Sequence, residues 1–197
     1  MNPFFIGIAG GSGTGKTALA RKLKKCFGKC FGRRASILHL DIYQKFGGNL
    51  PEIKGMKNWD HPEAINWSKL QKDLNNLREG KTIKIKVREQ RRLKMAGSTT
   101  FYPTKIIIVE GYLLFYKKFI RRFLDFLIYL KASEKTRIKR RTKFKGKAGR
   151  YVREVVLLMH KKYIEPTKKY ADLILSTDKY SVKQCIKKII PYFNQLS

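Results

Sequence analysis

Near its start the chain reads Gly10-Gly-Ser-Gly-Thr-Gly-Lys-Thr17, and this run constrains the architecture more tightly than any other. It satisfies the phosphate-binding pattern G-x-x-x-x-G-K-[ST], and its flanks supply the context that the pattern needs. Before it runs Pro3-Phe-Phe-Ile-Gly-Ile-Ala9, a short apolar segment that reads as a buried strand. After it, Leu19, Leu23, Cys26, Phe27 and Cys30 fall on one helical stripe. Strand, glycine loop and helix together make a cradle. Backbone N–H groups converge there on phosphate oxygens at the positive end of the helix. Gly10, Gly11, Ser12, Gly13, Thr14 and Gly15 are expected to wrap the phosphates, with Lys16 reaching the β- and γ-phosphates and the Thr17 hydroxyl placed to ligate Mg²⁺. The plain alternative is a glycine-rich turn before an ordinary helix. In its context the motif implies binding of a nucleoside triphosphate.

At 197 residues the chain fits one domain with a substantial core, and 43% hydrophobic residues place it among globular proteins. No apolar run approaches the roughly 20 residues of a membrane-spanning helix. The first strand leads straight into the glycine loop, so no cleaved leader is expected and a cytoplasmic location follows. Cys26, Cys30 and Cys185 lie on apolar helical stripes in no metal-type pairing, which reads as buried reduced thiols. Charge is the unusual feature: 45 Lys and Arg against 14 Asp and Glu give a net charge of +31. Either the protein binds nucleic acid, or a lysine-rich bias covers its solvated faces. The basic residues are spread along the whole chain, which favours the bias, and salt-sensitive, non-specific polyanion binding is expected in both cases.

Hydrophobic periodicity predicts strands over 3–9, 35–40, 82–88, 104–109, 124–131 and 171–176. Helices are predicted over 16–30, 63–79, 112–123, 133–143, 151–169 and 181–195. Ile37–Leu40, Ile106–Val109 and Leu127–Leu130 are continuous apolar runs, as in strands covered on both faces. Alternating strands and helices call for an α/β fold with a doubly wound parallel sheet and right-handed crossovers. Such sheets bind ligands beyond the carboxyl ends of their strands.

That rule selects the polar candidates. Asp41 directly follows the strand ending at Leu40 and could take a proton from an attacking hydroxyl or hold a metal-bound water; a turn or helix-capping aspartate is the alternative. Glu110 ends Ile106-Ile-Ile-Val-Glu110 and is placed to coordinate Mg²⁺ through water, or else to cap a helix. In Asn58-Trp-Asp-His-Pro-Glu-Ala64, Asp60 could grip vicinal sugar hydroxyls or simply start the next helix with Pro62. Arg137, Arg140 and Arg141 share one predicted helix before Lys143-Phe-Lys-Gly-Lys-Ala-Gly-Arg150. They read equally well as a basic lid segment, about 143–151, closing over phosphates, or as a solvated charge run.

These pieces occur in a recognisable order. Gly10–Thr17, Asp41-Ile-Tyr-Gln-Lys45, Asp60-His-Pro-Glu-Ala64, Ile107-Ile-Val-Glu-Gly-Tyr-Leu-Leu114, Arg137-Ile-Lys-Arg-Arg141 and Tyr163-Ile-Glu-Pro-Thr-Lys-Lys-Tyr-Ala-Asp172 span residues 4 to about 176. In this the chain resembles the uridine kinase and phosphoribulokinase-like family of P-loop kinases, and most closely its nucleoside kinases. The resemblance implies Mg²⁺-dependent transfer of phosphate from ATP or GTP to the 5′-hydroxyl of a ribonucleoside, with uridine or cytidine leading. It implies Asp41 as the base, with Thr17, Asp41 and Glu110 around Mg²⁺. Asp41, Tyr43, Asp60 and Arg137 would contact the acceptor, Asp60 holding the ribose hydroxyls. Arg137, Arg140 and Arg141 would bind phosphates from the lid side. Lys84-Ile-Lys-Val-Arg-Glu-Gln-Arg-Arg92 departs from the family, with no tyrosine or histidine where its uridine kinases read the pyrimidine. The stretch Glu110–Phe115 is also similar to nicotinamide riboside kinases, so the base stays open, and a nucleic-acid-binding NTPase is the distant alternative. The family often assembles, which leaves a homo-oligomer open.

Overall fold

The structure, a computed structural model, describes residues 2–45, 49–88, 95–141 and 147–196. In chain order, β1 (Phe4–Ala9) runs through the glycine loop into α1 (Lys16–Phe31), and β2 (Ala35–His39) passes into a 3₁₀ turn, Leu40–Tyr43. A small ribbon of β3 (Glu52–Ile53) and β4 (Met56–Lys57) precedes a second 3₁₀ turn, Pro62–Ala64, and α2 (Trp67–Arg78). There follow β5 (Ile83–Arg88), β6 (Met95–Phe101), β7 (Ile106–Gly111), α3 (Lys118–Arg121), β8 (Phe126–Lys131) and α4 (Glu134–Arg141). A helical stretch then begins at α5 (Lys147–Tyr151) and continues through a π-helical turn, Val152–Val156, α6 (Leu157–Met159), a second π-helical turn, His160–Ile164, and a 3₁₀ segment, Glu165–Tyr170. The last elements are β9 (Leu173–Ser176), α7 (Val182–Ile189) and the 3₁₀ segment Ile190–Leu196.

Five strands form one sheet in the order β2-β7-β1-β8-β9, and every pairing in it is parallel. Period-two alternation divides its side chains between two cores. Ile6, Ile8, Ile106 and Ile108 pack on α1 and α7 with Leu19, Leu23 and Ile189. Phe5, Ala9, Ile107 and Val109 pack on the opposite face with Leu70, Leu74 and Leu77 of α2. Strands buried on both faces explain why these segments read as unbroken apolar runs. The predicted doubly wound α/β sheet is therefore present. Among the described residues, no helix is long and apolar enough to cross a membrane.

Several predicted elements differ. The strand expected at 82–88 lies outside the main sheet, paired antiparallel with β6. The helix expected at 112–123 shrinks to α3, because Leu113, Leu114 and Phe115 are buried in succession and leave no solvent face for a helix. Residues 63–79 divide where the Asn66 side chain accepts from Lys69 N and starts α2 afresh. The last helix gives way to 3₁₀ geometry around Pro191, which has no N–H for the α-helical ladder. Of the lid segment expected at about 143–151, residues 143–146 lie outside the described residues, and 147–151 form α5.

Candidate active site

Because β7 lies between β1 and β2, three strand ends adjoin: the loop after Ala9, Glu110 on β7 and Asp41 just past β2. They wall a cleft of about 790 Å³ whose lining includes Lys16, Thr17, Asp41, Asp60, Glu110 and Arg141. Gly15, at φ 92°, caps α1 without a side-chain hydrogen bond, a left-handed conformation that favours glycine. The first-turn amides of α1 therefore have no side-chain cap, and Gly15 through Ala18 line the cleft. Gly11 is required for a different reason. A Cβ there would lie 2.7 Å from His160 Nδ1 and 2.8 Å from Arg137 Cζ, so the loop packs directly on those two side chains.

The floor of the cleft is a linked set of charges. Thr17 Oγ1 donates to Glu110 Oε1 at 2.9 Å, and His39 Nδ1 donates to the same oxygen at 2.7 Å. Burial would raise the Glu110 carboxyl, but the His39 bond, Lys16 and the Thr17 bond outweigh it and hold the group below its ordinary value. Lys16 Nζ donates to Gly11 O at 3.1 Å. Burial lowers its ammonium while Glu110 and Asp41 act in the opposite sense. At the other end, Asp60 Oδ2 accepts from Tyr151 at 2.9 Å. Burial raises the Asp60 carboxyl, against the Tyr151 bond, Arg141 and Lys16.

The sequence-predicted residues divide into those on the cleft and those behind it. Ser12, Gly13, Gly15, Lys16, Thr17, Asp41, Asp60, Glu110 and Arg141 line it. Thr14 is buried, with its hydroxyl on Gly11 O, and Gly10 is buried beneath the loop. Arg137 is also buried, donating through Nε to Ser12 O, and among the described residues its Nη2 has no hydrogen-bond partner. Arg140 donates to Gly13 O and Thr177 and faces a second cavity of about 450 Å³ on the far side of Thr14 and Ala18. Tyr43 is not brought to the cleft. Its phenol donates to Asp73 Oδ2 at 2.8 Å inside the core, which anchors the turn carrying Asp41 to α2.

Uncapped helix amides, the Lys16 ammonium and Arg141 on the cleft wall form a donor set suited to a polyphosphate. Among the described residues, no group of three or more His, Cys, Asp and Glu could cage a metal ion. The Thr17–Glu110 pair fits Mg²⁺ instead, an ion that keeps most of its waters and shares phosphate oxygens.

A family model described as the phosphoribulokinase / uridine kinase family matches residues 5–181. The chain belongs to this family. It is 32% identical over 190 residues to a uridine kinase of Halobacterium salinarum, covering 91% of this chain and 82% of that protein. It is 36% identical over 180 residues to a uridine kinase of Macrococcus caseolyticus, covering 86% of each. Among solved structures, the phosphoribulokinase of Rhodobacter spheroides superposes with a TM-score of 0.68 at 14% identity, over 89% of this chain and 70% of that one, a likeness of fold. Use of ATP and Mg²⁺ is general to the P-loop kinases of this family.

Several residues of this family member's cleft escape a reading of the sequence. His39 pairs with Glu110 because β2 and β7 align these two positions, a register that no single segment displays. Trp59, Tyr112, Gln44 and Tyr151 also line the cleft. Tyr112 donates to Trp59 O at 2.8 Å, and Gln44 Nε2 donates to the Tyr112 phenol at 3.3 Å. An aromatic wall thus stands beside Asp60, supplied by segments other than 84–92.

Proposed function

We propose that the protein phosphorylates the 5′-hydroxyl of a ribonucleoside, with uridine or cytidine as acceptor and Mg-ATP as donor. One observation carries this reading: two carboxylates, Asp41 and Asp60, line the same cleft as the phosphate cradle of Gly15, Lys16 and Thr17. A nucleoside needs such a pair, one carboxylate for the hydroxyl that reacts and one for the hydroxyls that anchor the sugar. Asp41 takes the proton of the attacking 5′-hydroxyl, and Asp60 accepts hydrogen bonds from the ribose diol. Trp59 and Tyr112 supply the aromatic side chains that pack on the base.

Lys16, the first amides of α1 and Arg141 receive the phosphate charge, Arg137 and Arg140 brace the loop from behind, and Thr17 and Glu110 hold Mg²⁺. When bound, that ion neutralises charge on the phosphates. The second cavity, between Arg140, Thr177 and Tyr180, is of a size to take the donor's base. Relatives named as uridine kinases support the choice of acceptor.

The test is ADP release from Mg-ATP, and from Mg-GTP as GDP, across uridine, cytidine, adenosine, guanosine and nicotinamide riboside. Uridine- or cytidine-dependent turnover is expected, and Asp41→Asn should lower kcat by about 10²–10⁴-fold with ATP binding retained. Turnover with nicotinamide riboside alone would replace the acceptor, and RNA-stimulated hydrolysis with no small acceptor would replace the enzyme class.

A further inference from the structure

The helical stretch beginning at α5 docks along the loop that carries Asp60, far from it in sequence. Glu154 lies 3.8 Å from Lys54 Nζ, Asn58 Nδ2 donates to Met159 Sδ at 3.1 Å, and His61 Nε2 meets the Tyr163 phenol at 3.1 Å. At the cleft end of this seam stands Tyr151. Its phenol accepts from Trp59 N at 2.9 Å and donates to Asp60 Oδ2 at 2.9 Å, so it is fixed from one side and fixes the carboxylate on the other. Asp60 is also held through its backbone, Asp60 N donating to Asn58 Oδ1 at 3.2 Å. The torsion left to set is that of the carboxylate itself.

We infer that Tyr151 is a positioning residue for the acceptor: its phenol orients the Asp60 carboxylate so that the remaining lone pairs meet the sugar hydroxyls together. This rests on the proposed role of Asp60. A carboxylate accepts up to about four hydrogen bonds, so one from Tyr151 leaves capacity for a diol while removing rotational freedom. The bond is charge-assisted and roughly twice as strong as a neutral one. It also favours the ionised carboxylate, in concert with Arg141 and Lys16 and against burial and Asp41. The Tyr112 phenol lies within electrostatic reach of the same group.

Steady-state kinetics at saturating Mg-ATP, with the nucleoside that turns over in the panel above, test the inference. Tyr151→Phe keeps the ring and loses only the hydroxyl. It should raise KM for the nucleoside about tenfold, the scale of one hydrogen bond to a charged group, with kcat and KM for ATP within about twofold. Asp60→Asn should raise the same KM at least as much. The double variant should be no worse than Asp60→Asn alone, because Tyr151 acts through Asp60. Glu154→Gln, which loosens the docking seam without touching Asp60, should leave the nucleoside KM unchanged. An unchanged KM in Tyr151→Phe beside a raised one in Asp60→Asn would overturn the role of Tyr151 and leave the proposed function standing. A fully additive double variant, or a Glu154→Gln effect as large as that of Tyr151→Phe, would overturn it too. An Asp60→Asn protein with wild-type KM would remove Asp60 from the sugar and the inference with it.

Discussion

His160 has its Nδ1 buried beside the glycine loop, with no hydrogen-bond partner among the described residues and with Arg137 and Lys16 as cationic neighbours. Burial first, then those two cations and Lys161, pushes its pKa from 6.5 down to about 3. The folded protein therefore refuses a proton that the unfolded chain accepts below about pH 6.5. Stability is unaffected by this group above that pH and falls progressively as the pH drops toward 3. His160→Gln should flatten the loss of melting temperature between pH 7 and pH 4, and parallel curves for the two proteins would show that His160 does not titrate this way. Asp41 and Glu110 are legible in the sequence because each ends an apolar run, and in a parallel sheet a strand end is a place on the binding edge. Tyr43 is two residues from Asp41 and turns inward to Asp73, since neighbours on a short turn point in different directions. His39, Trp59 and Tyr151 are illegible because what defines each is a partner about 70 to 90 residues away.

Among the elements, α2 depends on its own start signal. Asn66 supplies the cap that separates this helix from the 3₁₀ turn before it. Asn66→Ala should cost about 1 kcal/mol in urea unfolding and leave kinetics untouched, and a loss much below 0.5 kcal/mol would mean the cap is idle. Helix 151–169 was legible from its apolar spacing, but not its winding. Tyr151, Met159 and Tyr163 recur at multiples of four residues along the docking seam. In an α-helix each such step would overrun the face by about 40°. The two wider π turns take up that drift and keep the contacts aligned. Strand β6 is not legible because Met95-Ala-Gly-Ser-Thr-Thr-Phe101 carries small polar residues and no clear alternation.

For the molecule as a whole, +31 on 197 residues is a self-repulsion that folding must overcome. Ionic strength screens it, so raising NaCl from about 0.05 to 0.5 M should raise the melting temperature, with a fall arguing that the ion pairs outweigh the repulsion. The α/β class was readable from alternating runs, whereas the strand order was not, because pairing partners are chosen in space. That order also sets when the nucleotide site can come into being. Among the described residues, β1 has no sheet neighbour nearer in sequence than β7, whose Ile106 pairs with Phe4, and its other neighbour is β8. Closing loops of that length is an entropic cost met before any strand pairing rewards it. During synthesis the glycine loop leaves the ribosome well ahead of its sheet partners, and the strand that aims it stays unpaired until Ile106–Gly111 and Phe126–Lys131 follow. The motif is complete long before it becomes a binding site, and a nascent chain stopped before β7 has the whole phosphate motif and no sheet to present it.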